Sequence, residues 1–443
     1  MDNQKIINSW YSKLEKQIPK WTEVEKDLSL LGASIDNASF PIHSWFNLKE
    51  SFSANFPKWL IEYLKEKYNF EPKLILDPFV GGGTSAIEFS RMGIECIGVE
   101  YNPFIRWVAE SKLHWHKYDT TNIENAIIKI HSNGLESRKV SLPKLTTFKN
   151  TKYFRSKDVK HLIQTLIEIK ESDIDESTKR FLSLGVATTI EKISNLRKDG
   201  RALRYTKKEI GKDTKEILKK TWTDFVNDLD EQSEDTLNKK SKIYKGSAVN
   251  LNNLRNGNED KIEKIRSNSI DLVVYSPPYL NNFDYSEVYK LELWLLGFVE
   301  SYEQWREVRL GTLRSHRSIK FDETSFLSMD KRTKHISEKV DLLEKGLEET
   351  SSGNALKGLA KSYFDDMYLA IKEQYRTLKN DGFLAYLLAN SCYSELQIQT
   401  DLILCEIAKS IGFKPLEIIV VKKRHRRSQQ NSHIRESIVI LKK

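Results

Sequence analysis

The sequence predicts an α/β protein built on a doubly wound, mostly parallel sheet of seven strands. Short apolar runs alternate along the chain with helix-like amphipathic segments, and turns containing glycine or Asp-Gly join them. The last two apolar runs are joined only by residues 422–436, a connection too short for a helical crossover. The last strand is therefore predicted to run antiparallel to its neighbours.

The first predicted unit is a helix followed by a strand, a turn, a helix and a strand. Residues 53–67 carry Phe56, Leu60 and Leu64 at helical spacing. The run "KLILDPFVGGG" stops at Asp-Pro and three glycines, which predicts a buried strand entering a tight turn. "TSAIEFSRMG" then predicts a helix and "IECIGVEYNP" a second buried strand, so the segment predicts a βαβ unit.

Two insertions interrupt the alternation. Residues 119–242 contain charged, helix-like stretches such as "DVKHLIQTLIEIKE" and predict a mainly helical insertion. A second insertion, rich in basic residues, is predicted near residues 300–360. We therefore expect three regions: residues 1–118 with an N-terminal helix and the first half of the sheet, residues 119–242, and residues 243–443 with the second half of the sheet.

Composition and charge narrow the class of protein. The chain of 443 residues has 71 Lys and Arg against 62 Asp and Glu, a formal charge of +9, and its basic residues are clustered. Clustered Lys and Arg suit a polyanionic partner, although solvated surface faces explain such clusters equally well. Three cysteines without a CxxC pair argue against a disulfide framework and against a structural zinc site. No apolar run approaches the length of a membrane span, and the N-terminus lacks a signal peptide, so we expect a cytoplasmic protein.

The glycine turn "DPFVGGGT" predicts a ligand site. Ligands of open parallel sheets bind beyond the carboxyl ends of the strands, where a glycine turn lets them approach backbone N–H groups. The dinucleotide pattern G-x-G-x-x-G and the phosphate loop are both absent, so a nucleoside without phosphates fits better. Glu100 ends the second strand, where a carboxylate can accept both hydroxyls of a ribose. An ordinary tight turn is the alternative explanation.

The stretch "IDLVVYSPPY" ends a predicted strand with two consecutive prolines. Proline has no N–H donor and a fixed φ, and it forces the preceding residue to be extended. Ser276 and Pro277 therefore present rigid hydrogen-bond acceptors, and Tyr279 presents a flat ring. A simple turn after a strand is the alternative, but the stretch is predicted to lie at the same edge of the sheet as the glycine turn.

Together, "LDPFVGGGTSAIEFSRMGIECIGVEYNP" and "SPPY" resemble two motifs of the amino-group DNA methyltransferases. The resemblance covers residues 40–118 and 243–300 well, the last 80 residues more loosely, and the helical insertion only weakly. It implies a Rossmann-like sheet and S-adenosylmethionine as the cofactor. It also implies that the target base is extruded from double-stranded DNA and stacks on Tyr279.

The family resemblance assigns roles to named residues. The expected catalytic residues are Ser276, Pro277, Pro278 and Tyr279. The expected cofactor-binding residues are Asp77, Pro78, Phe79, Gly81, Gly83, Thr84, Glu100, Ser247, Ser51 and Phe52. The family usually has an acidic residue where this chain has Ser247, so adenine recognition there is expected to rest on backbone groups or on the hydroxyl. For Ser51 and Phe52, an ordinary helix cap explains the residues equally well.

The choice of substrate is left partly open by the sequence. In this family Ser at position 276 favours cytosine N4, whereas Asp at that position favours adenine N6. N6-adenine methylation of DNA and methylation of an exocyclic amine on RNA therefore stay as alternatives. A DNA-binding subunit without activity and a glutamine methyltransferase acting on protein are further readings. The expected setting is restriction-modification or phage defence, with a cognate endonuclease or defence subunits as possible partners.

Reading of a DNA sequence requires basic and amide side chains beside the catalytic sheet. Residues 119–242 are the candidate target-recognition region, and the basic insertion near 300–360 competes with them. The loop between the last two strands is a third candidate, positioned to close over the site. The expected nucleic-acid contacts are Arg197, Arg201, Arg204, Arg314, Arg317, Arg424 and Arg426, each of which could instead belong to an ordinary charged surface.

Overall fold

The structure is a computed structural model of the whole chain. It describes residues 3–23, 29–49, 51–132, 139–199, 202–208, 213–257, 261–322, 324–350, 353–425 and 433–443.

The strands are named in chain order. They are β1 Trp21–Glu23, β2 Leu74–Asp77, β3 Glu95–Glu100, β4 Leu196–Asp199, β5 Ala202–Tyr205, β6 Lys242–Ser247, β7 Asn250–Arg255, β8 Ile262–Glu263, β9 Ile270–Tyr275, β10 Leu378–Ala389, β11 Ser391–Tyr393, β12 Leu396–Ile398, β13 Lys414–His425 and β14 His433–Lys442.

The α-helices are numbered in the same way. They are α1 Asn3–Gln17, α2 Asn55–Tyr68, α3 Thr84–Arg91, α4 Pro103–Leu113, α5 Thr120–Ser132, α6 Thr146–Lys149, α7 Ser156–Glu171, α8 Glu176–Lys192, α9 Thr214–Asp230, α10 Tyr285–Val288, α11 Lys290–Leu295, α12 Tyr302–Gly311, α13 Phe326–Met329, α14 Lys334–Glu348, α15 Gly353–Leu356, α16 Leu359–Thr377 and α17 Thr400–Ile411.

The main sheet has the order β1-β13-β14-β10-β9-β2-β3-β6-β7-β8. The seven strands from β13 to β6 form the doubly wound centre that the sequence predicts, and the contacts among β10, β9, β2, β3 and β6 are parallel. β14 runs antiparallel to β10 and to β13, so the prediction of an antiparallel last strand is confirmed. The sheet is wider than predicted, because β1 adds to one edge and β7 and β8 add to the other.

The chain order of the strands places the two motifs side by side. β2 leads into the glycine turn and β9 leads into Ser276, and these two strands are hydrogen-bonded neighbours in parallel register, with Leu76 opposite Val273. Both strands are buried on both faces, as their apolar sequences predict. The turn and the proline stretch therefore leave the sheet at the same edge.

The segments predicted as insertions are mainly helical. Residues 119–242 contain α5 to α9 and the antiparallel hairpin of β4 and β5. Their buried side chains, including Phe181 and Trp222, share one apolar core with the segment around Trp45 and with α11. Residues 300–360 contain α12 to α15. Among the described residues, no helix is both long enough and apolar enough to cross a bilayer.

Candidate active site

One cavity opens at the carboxyl edge of the sheet, between the glycine turn and the proline stretch. Its walls come from the first half of the sheet, from the β6–β7 connection, from the end of β9 and from the segment after α12. The lining residues are Leu48, Pro78, Phe79, Gly81, Val99, Glu100, Tyr101, Asn102, Ile105, Gly246, Ser247, Ala248, Val249, Ser276, Pro278, Tyr285, Gly311, Thr312, Leu313, Ser315 and His316.

The glycine turn has a shape that other residues would not adopt readily. Gly81 and Gly83 have φ values of +51° and +88°, in the left-handed region. A Cβ atom on Gly81 would also lie 3.2 Å from Leu48 Cδ2, and one on Gly83 would lie 3.1 Å from Ala109 Cβ. The glycines thus allow the turn to pack closely under Leu48 and against α4, and Gly81 lies at the wall of the cavity.

Asp77 holds the turn from below. Its buried carboxylate accepts a hydrogen bond from the backbone N–H of Phe79 at 2.9 Å and one from the hydroxyl of Ser85. Burial raises the pKa of Asp77 to about 7, against the opposing effect of these two hydrogen bonds. Asp77 shapes the turn through these hydrogen bonds and is not among the residues that line the cavity. Its contact with the cofactor stays a prediction.

Glu100 lies at the end of β3 and faces the cavity. Its carboxylate accepts the backbone N–H of Asn102 at 2.7 Å. Burial raises the pKa of Glu100 to about 7, while hydrogen bonds from the backbone N–H groups of Asn102, Tyr101 and Gly81 oppose the increase. The carboxylate and the glycine turn therefore lie side by side at the cavity wall.

Asn102 supplies a donor that the described residues leave without an acceptor. Its Oδ1 caps α4 by accepting the N–H groups of Phe104 and Ile105 at 3.1 and 3.3 Å. Its Nδ2 is buried and has no hydrogen-bond partner in the described part of the chain, although the residue lines the cavity. An unpaired buried donor costs free energy, so this atom suits a polar acceptor on a bound ligand.

The proline stretch leaves the sheet directly after Tyr275. Ser276 and Pro278 line the same cavity as Gly81, whereas Pro277 is buried. The hydroxyl of Tyr279 lies 3.4 Å from Ser276 Oγ and 3.4 Å from Glu436 Oε1. Tyr279 and Glu436 both line a neighbouring cavity. The stretch therefore separates the two cavities.

Residues 311–316, at the end of α12 and directly after it, cover one side of the main cavity and are named the cover. Arg309 and Ser318 donate hydrogen bonds to Asp284, which lies five residues after Tyr279. His316 lines the cavity, and Nδ1 of its ring lies 2.6 Å from Ser318 Oγ. Burial opposes ionisation of Asp284, but its neighbours, led by His316, hold the pKa of its carboxyl below the usual range. A charged carboxylate thus joins the cover to the segment that follows the proline stretch.

Four of the residues predicted to bind the cofactor lie outside the cavity wall, in addition to Asp77. Gly83 begins α3, and Thr84 Oγ1 lies 3.2 Å from Ser51 Oγ beneath the turn. Phe52 packs edge to face on Phe56 in the apolar core. Pro78, Phe79, Gly81, Glu100 and Ser247 do line the cavity.

The cavity also contains residues that the sequence did not single out. Leu48 comes from an irregular segment whose position depends on tertiary contacts. The cover, residues 311–316, belongs to the second insertion, which the sequence makes a candidate for contacting DNA. Asn102 carried a local signal, because Asn before Pro marks the start of a helix. That signal does not predict that Nδ2 of Asn102 lacks a hydrogen-bond partner among the described residues.

The structure corrects one predicted DNA contact. Arg314 is only 8% exposed, and its guanidinium donates to Asp366 Oδ1 at 2.6 Å and to Asp365 Oδ2 at 3.1 Å. These bonds fix the second insertion to α16, so the side chain is not presented to DNA. Arg317 is half-buried and lines a separate groove near Gly358.

Of the other predicted DNA contacts, Arg197 and Arg204 are exposed on the β4–β5 hairpin. Arg201, Arg426 and the side chain of Arg424 lie outside the described residues. Within the part of the chain that the structure describes, no cluster of three or more His, Cys, Asp or Glu residues could hold a metal ion.

Comparison with known proteins supports the family resemblance. The family model described as a DNA methylase of the N6/N4 class matches residues 2–111. The Type II methyltransferase M.BsoBI of Geobacillus stearothermophilus is 26% identical over 458 residues, covering 92% of this chain and 86% of that protein.

Two further relatives also align over most of the chain. The Type II methyltransferase M.AvaI of Anabaena variabilis is 29% identical over 98% of this chain and 92% of its own length. The Type II methyltransferase M.MvaI of Kocuria varians is 24% identical over 78% of this chain and 76% of its own length. These comparisons agree with the resemblance that the two motifs indicated: residues 2–111 are similar to DNA methylases, and most of the chain is similar to Type II methyltransferases.

Proposed function

We propose that this chain is a site-specific DNA methyltransferase that transfers the methyl group of S-adenosylmethionine to the N4 amino group of cytosine. The observation that carries the proposal is the single cavity that joins Gly81 and Glu100 to Ser276 and Pro278. A cofactor site and an amine-binding site must adjoin for a direct group transfer. The match to DNA methylases supports the reaction class.

The residues present fit a nucleoside cofactor. Glu100 would accept the ribose hydroxyls, and the unpartnered Nδ2 of Asn102 would donate to an acceptor atom of the nucleoside. Ser247, in the β6–β7 connection, would contact adenine, and the glycine turn would leave room for the methionine part. When bound, the cofactor supplies an electrophilic methyl group.

The proline stretch would orient the target amine. The nitrogen lone pair of an exocyclic amine is delocalised into the base, so the amine is a weak nucleophile. Ser276 Oγ and the carbonyl oxygen of Pro277 would accept hydrogen bonds from its two N–H groups and turn the lone pair toward the cavity. Tyr279 would stack against the extruded base. Two prolines keep these acceptors rigid because they fix φ and remove competing donors.

The choice of cytosine N4 rests on Ser276, which the family resemblance associates with that base. The competing products are N6-methyladenine in DNA and a methylated exocyclic amine in RNA.

We further propose a cytoplasmic restriction-modification enzyme, because its relatives are named Type II methyltransferases. A cognate endonuclease is the corresponding proposed partner. The division of the chain at residues 118 and 242 also stays a proposal.

One assay tests the proposal. The protein is incubated with tritiated S-adenosylmethionine and, separately, with genomic DNA, tRNA or a protein lysate. The labelled nucleoside is then identified by mass spectrometry. We expect N4-methylcytosine from DNA. N6-methyladenine from DNA would replace the proposed base, whereas label in RNA or protein alone would refute the DNA substrate.

A further inference from the structure

The β4–β5 hairpin has two different faces. Its register pairs Arg197 with Arg204 and Lys198 with Leu203. Because side chains alternate across a strand, the two arginines share one face and Lys198 and Leu203 share the other. Arg197 and Arg204 are exposed, whereas Lys198 is only 6% exposed.

The inner face ties the hairpin to α11 and to the segment around Phe46. Lys198 Nζ lies 4.8 Å from the ring centroid of Phe46 and 4.7 Å from that of Tyr289. It also forms an ion pair with Glu292 of α11. A buried ion pair carries a large desolvation penalty, but its geometry is specific and it restricts how the hairpin can sit.

The hairpin also lies beside the candidate active site. β5 contacts α10, which begins at Tyr285. Tyr285 lines the cavity and follows Tyr279 by six residues. The hairpin therefore contacts the helix that begins at a residue of the cavity wall.

The outer face places two positive charges directly opposite each other. Arginine forms two parallel hydrogen bonds with phosphate, and its charge does not depend on pH in the physiological range. This exposed face therefore suits a phosphate ester.

We propose that the β4–β5 hairpin grips the phosphate backbone of duplex DNA next to the target base, and that Lys198 is the positioning residue that holds it there. The inference rests on the proposed function. A two-stranded ribbon fits the wide major groove of B-DNA, whereas the deep, narrow major groove of A-form RNA excludes it. Duplex DNA is thus the partner that the hairpin favours.

The test compares two double variants of the full chain. Arg197→Ala with Arg204→Ala removes the outer face, and Arg255→Ala with Arg266→Ala removes the same charge from exposed positions at the far edge of the sheet. The affinity for duplex DNA that the wild type methylates is measured at several salt concentrations. S-adenosylmethionine affinity is measured in parallel as a check on folding.

We expect the hairpin variant to bind DNA more weakly and to lose about two units from the slope of log K against log salt, since each phosphate contact contributes about one unit. The Arg255/Arg266 variant should keep the wild-type slope. An unchanged slope in the hairpin variant, or equal losses in both variants, would overturn the inference. So would duplex RNA that competes as well as duplex DNA.

The two levels of the proposal fail in different ways. A wild-type protein that methylates no DNA would refute the proposed function and the role of the hairpin with it. A wild type that methylates DNA, combined with a hairpin variant that keeps the wild-type affinity and salt slope, would refute the hairpin alone.

Discussion

Arg309 Nη2 lies 2.9 Å from Asp284 Oδ2, and this ion pair joins the cover of the cavity to the segment that follows Tyr279. The guanidinium of Arg309 also lies 4.7 Å from the ring centroid of Trp305, so its position is fixed from two sides. Two residues after Arg309, a Cβ on Gly311 would lie 1.8 Å from Tyr101 Cζ. The cover is therefore held between the two halves of the sheet.

The first prediction concerns this cover. Asp284→Asn removes the charge that Arg309 and Ser318 share, so the cover should loosen. We expect the dissociation constant of S-adenosylmethionine to rise about tenfold, equivalent to roughly 1.4 kcal/mol. Equilibrium binding measures the change. Asp224→Asn is the matched control, because Asp224 forms an exposed ion pair with Lys220 and such pairs contribute about 0–1 kcal/mol. Equal affinities of the two variants would contradict the role of Asp284.

The second prediction concerns pH and Glu100. A ribose that donates hydroxyls to Glu100 favours the carboxylate, so binding should lower a pKa that burial has raised to about 7. Affinity for S-adenosylmethionine should then rise with pH below about 7, by up to about tenfold per pH unit, and level off above it. Calorimetric titration between pH 5 and 8 measures this. Glu100→Gln should bind weakly and without that pH dependence.

Asp77 provides the control for this pH dependence, since burial raises its pKa to about 7 as well. Asp77→Asn should keep the pH dependence of binding if Glu100 is the group that titrates. For the free energy of unfolding without cofactor, the change with pH has the opposite sign. A pKa raised in the folded state gives stability that is full below the unfolded value, near 4, and is lost as pH rises through about 7. If Asp77→Asn lost the pH dependence of S-adenosylmethionine binding and Glu100→Gln kept it, the group that titrates would be Asp77 and not Glu100.

The third prediction concerns Tyr279. Its hydroxyl lies 3.4 Å from Ser276 and from Glu436, and stacking of a base requires the flat ring rather than the hydroxyl, so the ring is expected to matter more. Tyr279→Ala should lower kcat/KM for DNA roughly 5- to 150-fold, the equivalent of about 1–3 kcal/mol for one stacked base. Tyr279→Phe should stay within a few-fold of the wild type. Cofactor affinity should change little in either variant, and a loss confined to cofactor binding would refute the stacking role.

The sequence predicted the centre of the fold because its signals are local. The strand of Ile75 and Leu76 and the turn at Gly81 are encoded in consecutive residues, and they appear where expected. The position of the cover and the burial of Arg314 were not predicted, because both depend on contacts between residues that are far apart in the chain. In the sequence, Arg314 is indistinguishable from a surface cation. In the structure, α16 places Asp365 and Asp366 next to it.

The last prediction concerns the ion pair of Lys198 and Glu292. Burial raises the pKa of Glu292, and Lys198 opposes that increase. Lys198→Met would leave the carboxylate buried without its cation, and Oε2 of Glu292 already lacks a hydrogen-bond partner among the described residues. Removing one member of a buried pair costs about 3–5 kcal/mol of unfolding free energy.

The double variant Lys198→Met with Glu292→Gln removes both charges. It should therefore lose much less stability than the sum of the two single changes, by an interaction energy of about 1–3 kcal/mol. Urea unfolding of the wild type and the three variants measures this cycle. Additive losses would show that the two side chains act independently, and the buried pair could then not be what orients the β4–β5 hairpin.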